Sequence, residues 1–457
     1  MTARDLRQLF LAVTVSLACG KPVASVPAPR EVTFAGTTAV RVSPARSGEW
    51  LLLFEMLQPQ LLITSPIRSA GLLGTGPEVV RTYGAPEGWI LIDAVAHPSG
   101  DVSLLSLRVD PRADYPLRAM ISRFEPGGAV ADLELLRLPP PSGTEPVPAF
   151  LASLDRARIV AHGEDLFAAV RWANNAVQAY RLGFEGGNWQ QRWATWVEPP
   201  APLLFLGIIG GGFDNFHQGD SPFFVYADVD AEGNLYASVA STADVLPNHD
   251  AFFDENLMSQ ADPASFDFGT AIVTRITAQG TRSFARLMGI PGRNKRLLNM
   301  RVADDSVLLL GRVKTGDQPA SWDGWILSSQ AATGQVRYER NVDVQNGDMF
   351  WDAAALSDGR LLAVGSTNYT QNPSGLSVSD ARDSLALVLD SSGNVDKRIA
   401  LPAGPAGRGN EAMSVSMDDR GQVAISGVQN APGTHAAVFS DAFLVVRGLE
   451  LQLTTRP

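Results

Sequence analysis

Cysteine occurs once in this sequence, at Cys19, so no internal disulfide can form and the fold must be held by burial and hydrogen bonding. Histidine is nearly as scarce, with five in 457 residues. No pair of histidines stands at metal-ligand spacing. The H-E-x-x-H, G-x-S-x-G and P-loop patterns are all missing, so zinc-protease, α/β-hydrolase and nucleotide-phosphate chemistry lack their usual residues. No run of helical length carries a helical apolar period, which argues against α/β architectures. No stretch reaches the roughly eighteen consecutive apolar residues of a membrane-crossing helix. Basic charge is also short: the formal net charge is −11, which opposes phosphate, and no nucleic acid partner is expected. What the chain does have is 42 glycines, 30 prolines and 45% hydrophobic residues, the composition of a folded, turn-rich protein.

The N-terminus reads as an export signal. Arg4 and Arg7 precede the apolar stretch Leu9–Ala18, which has the length of a signal-peptide core and is too short to cross a bilayer of about 30 Å as a helix. The stretch runs into Ser16-Leu17-Ala18-Cys19, which resembles the lipobox of bacterial lipoproteins, although Ser16 stands where that family usually has leucine. The resemblance implies that residues 1–18 are removed and that Cys19 is acylated, leaving no thiol for catalysis. Residues 19–30, with Pro22, Pro27 and Pro29, would then tether the lipid to the domain. Gly20 after the cysteine implies, by the sorting rule of that family, an outer-membrane or cell-surface destination, with a periplasmic or secreted form as the alternative.

One pattern recurs seven times: a turn bearing Gly or Asp, then a mostly apolar strand. The copies begin at Gly48, Gly100, Gly163, Gly233, Asp305, Gly359 and Gly421, about 62 residues apart on average. A second hairpin signature follows, clearest at 271–287, 324–341 and 385–401, weaker at 119–138 and 176–196, and least regular at 67–83. Each unit therefore reads strand–turn–strand–loop–strand–turn–strand, the four antiparallel strands of one propeller blade. A lone blade cannot bury both faces, whereas radial stacking covers them. The expected fold is all-β, a single seven-bladed β-propeller over residues 31–457, with six or eight blades if the first unit is miscounted. The segment Gly359–Ser366, G-R-L-L-A-V-G-S, resembles the exported propeller repeats of the delta-sixty type, which speaks to fold more than to activity.

Function is sought in the long insertions. Thr242–Thr270 carries Asp244, His249, Asp250, Asp254, Glu255, Asp262 and Asp267 with no Lys or Arg. Calcium takes six to eight oxygens; Asp250, Asp254 and Glu255, with Asp214 and Asp220 of the glycine-rich segment 210–222, are the candidate ligands. Calcium is the one cofactor considered, and the spacing matches no calcium-loop motif. The other reading of the insert is a solvated loop pinned by Phe252, Phe253, Phe266 and Phe268. Candidate binding residues are Trp322, Asn368, Tyr369, His249, Phe252 and Phe253. Trp322 is expected to be exposed ahead of a strand, whereas most other tryptophans, Trp172 and Trp189 among them, are expected to pack between blades. His97 and His162 read as surface turn residues. No catalytic residue is assigned. The leading expectation is a non-enzymatic, monomeric, membrane-anchored binding module for an envelope protein or glycan. One alternative is a calcium-dependent propeller hydrolase, which requires at least three carboxylates or amides from different blades to meet at the channel. Another is a structural part of an envelope assembly.

Overall fold

The computed structural model describes residues 30–35, 37–56, 67–76, 78–109, 117–128, 130–139, 157–173, 176–198, 225–241, 270–288, 295–315, 322–368, 382–401, 409–431 and 441–448. These form seven four-stranded antiparallel sheets arranged as a seven-bladed β-propeller. The first strand, β1 (Arg30–Ala35), belongs to the last blade. Blade 1 holds β2 (Thr38–Pro44), β3 (Trp50–Met56), β4 (Ile67–Leu73) and β5 (Val79–Tyr83). Blade 2 holds β6 (Ile90–Ala96), β7 (Val102–Val109), β8 (Leu117–Phe124) and β9 (Val130–Glu134). Blade 3 holds β10 (Ala157–His162), β11 (Asp165–Ala173), β12 (Ala176–Glu185) and β13 (Asn188–Glu198). Blade 4 holds β14 (Val225–Val229), β15 (Leu235–Ser241), β16 (Thr270–Ile276) and β17 (Arg282–Met288). Blade 5 holds β18 (Lys295–Ala303), β19 (Ser306–Lys314), β20 (Trp322–Gln330) and β21 (Val336–Val342). Blade 6 holds β22 (Met349–Ala355), β23 (Leu361–Thr367), β24 (Asp383–Leu389) and β25 (Val395–Arg398). Blade 7 combines β26 (Gly409–Met417), β27 (Val423–Ala431) and β28 (Asp441–Arg447) with β1 on its outside.

The seven copies of the repeat each run into the second strand of a blade, and the irregular hairpin at 67–83 is the outer pair of blade 1. Second strands read as nearly unbroken apolar runs because neighbouring blades cover both of their faces: every residue of β23 is buried. One such interface packs Leu308, Leu310 and Ile326 of blade 5 against Phe350, Ala363, Leu385 and Leu387 of blade 6. Each large side chain so buried stabilises the fold by about 1.5–3 kcal/mol.

The repeat's glycines sit in the turns between first and second strands. In blade 6 the Leu356 amide donates to the Arg360 carbonyl at 2.8 Å and the Gly359 amide to the Leu356 carbonyl at 3.0 Å. Closing that loop puts Gly359 at φ 81°, a region costly for other residues. Blades 2, 4 and 7 repeat the same bonds around Gly100, Gly233 and Gly421. Blade 5 replaces the glycine with Asp304 at φ 50°, a conformation that Asp tolerates better than most.

Ring closure uses β1. Its residues Arg30–Ala35 pair antiparallel with Val446–Asp441 of β28, so sheet hydrogen bonds join the two ends of the propeller. Antiparallel order also divides the connections between two faces. Turns between first and second strands and between third and fourth strands lie at one end of the blades. Connections between second and third strands, and between blades, lie at the other. Apart from the termini and positions 77 and 129, every residue outside the described set falls on connections of the latter kind.

Candidate functional site

The first strands, β2, β6, β10, β14, β18, β22 and β26, surround the propeller axis. Pairing with the second strand slips in five of them, between Ala39 and Arg41, Leu91 and Asp93, Leu297 and Asn299, Phe350 and Asp352, and Ala412 and Ser414. A bulge re-aims the residue beside it. The outcome is a ring with one member per blade: Arg41, Asp93, Arg158, Asp228, Arg301, Asp352 and Ser414. Sign alternates through six blades. Seven is odd, so strict alternation cannot close, and a neutral serine takes the remaining place.

The carboxylates hold the wall together. Asp93 accepts the Ala94 amide of its own strand at 3.0 Å and the Ile159 amide of the next blade at 3.0 Å. Asp228 accepts from Val229 and Val302 at 2.9 Å each. Asp352 accepts from Ala353 at 2.9 Å and Val415 at 3.0 Å. Ser414 Oγ donates to Asp352 Oδ2 at 2.8 Å and accepts the Val42 amide at 3.2 Å. The main-chain N–H following every ring member is thereby satisfied; a buried amide left without a partner costs about 1–3 kcal/mol.

The arginines neutralise these groups unevenly. Arg41 Nη1 lies 2.5 Å from Asp93 Oδ2. Arg301 grips Asp352 through Nε and Nη2, both at 2.7 Å, and Asn299 Nδ2 adds a bond of 3.0 Å. Arg158 stands 4.0 Å from Asp93. Burial alone would lower Arg301; the Asp352 carboxylate, joined by Asp228 and Asp93, outweighs it and holds the guanidinium above its ordinary range. Burial pushes the Asp228 carboxyl up, against the pull of Arg301 and of the amides that it accepts.

Three carboxylates from different blades stand in the wall around the axis, but they do not meet at one point as the hydrolase reading requires. They stand on alternate blades with arginines between them, and their oxygens already serve amides and guanidinium groups. This donor set does not fit a calcium ion, which needs six to eight oxygens turned to one point. Among the described residues no group of three or more His, Cys, Asp or Glu is placed to hold a metal ion.

Cys19, Asp214, Asp220, His249, Asp250, Phe252, Phe253, Asp254, Glu255 and Tyr369 lie outside the described residues. Trp322 corrects an expectation. It opens β20 instead of preceding it and is only 4% exposed, packed with Leu298 and Met349 under the Arg312 guanidinium at 4.4 Å. Trp172 and Trp189 pack between blades as expected. Asn368, at φ 59°, bonds Gln345 Oε1 at 3.1 Å and Asp383 Oδ2 at 3.2 Å where β23 ends.

The histidines also depart from the surface reading. His162 is half-buried, and His97 is 1% exposed. The Nδ1–H of His97 donates to the Gly163 carbonyl at 3.3 Å, which leaves Nε2 to accept from Ser103 Oγ at 2.8 Å. Burial, then the nearby Arg123 charge, lowers the His97 pKa against weaker opposition from the Gly163 carbonyl, Glu164 and Asp101. The unfolded chain therefore binds this proton more readily than the folded one. The corresponding stability is present above about pH 6.5 and is lost as pH falls. Urea midpoints measured at pH 7.5 and pH 5 should drop for the native sequence, and His97→Gln should lack that share of the drop. Equal drops in both proteins would refute the assignment.

No protein-family model matches the chain, and no curated protein matches it. Solved structures do. A protein of unknown function from Dyadobacter fermentans aligns over 92% of this chain and 100% of its own, at 13% identity and a TM-score of 0.40. The extracellular domain of a putative one-component system from B. thetaiotaomicron aligns over 91% of this chain at 11% identity and a TM-score of 0.39, and this chain spans 39% of it. A structure of YCF48 bound to D1 peptide aligns over 94% of this chain and 99% of its own, at 10% identity and a TM-score of 0.45.

Proposed function

We propose that this chain is an exported, lipid-anchored propeller that acts as a binding module for an envelope protein or glycan. Recognition would use the face from which the long connections depart. The observation that carries the reading is the division between the two faces. One end of the blades is closed by short turns such as 97–101 and 356–360, bonded internally through main-chain groups. At the other end the strands stop before residues 199–224, 242–269 and 369–381 and resume after them. Sequence that is free to vary around a rigid scaffold is where binding surfaces are usually built. The channel favours binding over chemistry, because its carboxylates are engaged in joining blades.

The test is capture from solubilised envelope with the native protein, a deletion of residues 243–269, and Arg360→Ala on the short-turn face. Specific retention that is lost with the deletion and kept by Arg360→Ala supports the reading. Retention unaffected by the deletion, or no retention by the native protein, refutes it. The anchor has its own test: Cys19→Ser should release the protein from membranes, and unchanged membrane association would exclude acylation.

A further inference from the structure

The ring's two signs are not equally available to the channel. The Asp93 and Asp352 side chains are 0% exposed, whereas those of Arg41, Arg158 and Arg301 are 13%, 19% and 20% exposed. The Asp93 and Asp352 carboxylates are turned into the wall, where main-chain amides occupy them, whereas Asp228 is half-buried. The guanidinium groups, on blades 1, 3 and 5, keep partial exposure. Arg301 spends Nε and Nη2 on Asp352, and its Nη1 has no partner among the described residues. Charges also sense one another across the channel: Asp93 of blade 2 acts on Arg301 of blade 5, and Arg41 of blade 1 acts on Asp228 of blade 4.

The geometry points to a binding site for a small oxyanion, a phosphate or a carboxylate, on the propeller axis within the arginines of this ring. Guanidinium N–H groups that remain after an ion pair is made are suited to such oxygens. A ligand there would meet Arg41 and Arg301 from opposite sides, with Arg158 between them along the wall. Asp228 opposes it. It is the ring carboxylate without an ion pair among the described residues, it is half-buried, and in its ionised form its charge would oppose the incoming anion. Removing that charge should therefore strengthen binding, a gain that damage to the fold cannot mimic. The site does not depend on the face proposed for partner recognition, and deletion of residues 243–269 is expected to leave it intact.

Calorimetric titration of the full-length protein with inorganic phosphate, and separately with acetate, at constant ionic strength set by chloride, tests the site. Saturable binding of at least one oxyanion is expected. Asp228→Asn should tighten it about tenfold, the scale of one unit charge removed at channel distances. Arg301→Lys keeps the charge beside Asp352 but loses the planar fork that grips Asp352 through Nε and Nη2 while leaving Nη1 spare, and should weaken binding about tenfold. Phosphate alone would mark a phosphoryl ligand, and acetate a carboxylate; either supports the site. No binding above chloride in both the native protein and Asp228→Asn overturns it. So does binding whose affinity neither substitution changes.

Discussion

Asp352→Ala is expected to cost about 3–5 kcal/mol of stability, far more than most single substitutions. The carboxylate is fully buried and serves five partners at once: Arg301, Asn299, Ser414 and the amides of Ala353 and Val415. Truncation strands the Arg301 charge and the amides of Ala353 and Val415 that Asp352 accepts. Arg301 keeps 20% exposure to the channel, and that hydration places the cost toward the lower end of the range. Urea unfolding checks it against Asp358→Ala, whose ion pair with Arg360 lies on an exposed turn and should be worth about 0–1 kcal/mol. Adding Arg301→Ala to Asp352→Ala should restore part of the loss, because the stranded charge goes with it. Equal costs for the two aspartates would show that the ring does not hold the blades together.

The blades were legible in the sequence because each second strand is covered on both faces. Burial then demands an apolar run, and the preceding turn demands Gly or Asp, so G-R-L-L-A-V-G-S marks β23 without further information. The ring was not, although it leaves a trace. In each first strand the ring member is a polar residue followed by an apolar one: Arg41-Val42, Asp93-Ala94, Arg158-Ile159, Asp228-Val229, Arg301-Val302, Asp352-Ala353 and Ser414-Val415. Read alone, each looks like an ordinary outward position on an alternating strand. In five blades, slipped pairing near that residue changes which face it serves, and period-two reading cannot follow such a slip. The alternation of sign appears only when the seven blades are superposed. Closure was hidden for another reason. β1 lies at the far end of the chain from β28 and carries no copy of the repeat, so nothing local joins Phe34 to Ala442. His97 misled because a turn residue is usually exposed, whereas here blade 3 supplies Gly163 as a lid.

The two glycines of G-R-L-L-A-V-G-S should respond to alanine in different ways. Gly359 has open space around its missing side chain, and its constraint is φ 81°. Gly359→Ala should therefore cost about 1–2 kcal/mol, the strain of a left-handed L-residue. Gly365 has ordinary backbone angles and no room. A Cβ built there would lie 1.8 Å from the Met349 carbonyl oxygen and 2.9 Å from its carbon, both backbone atoms that no side-chain rotation can move. The reason is the ring. Gly365 pairs with Phe350 beside the slip that leads to Asp352, and the β22 backbone closes over it. Gly427 repeats the arrangement in blade 7, where a Cβ would lie 1.9 Å from the Glu411 carbonyl oxygen beside the slip that leads to Ser414. Relieving either clash means separating first from second strand where the bulge sets its ring member in the channel wall. Gly365→Ala should cost more than about 3 kcal/mol, beyond the usual range for overpacking, because ring contacts are lost with the register. Urea midpoints of the two alanine variants decide the matter. A Gly365→Ala protein as stable as Gly359→Ala would mean that β22 can straighten without penalty, and that the bulge is not needed to place Asp352.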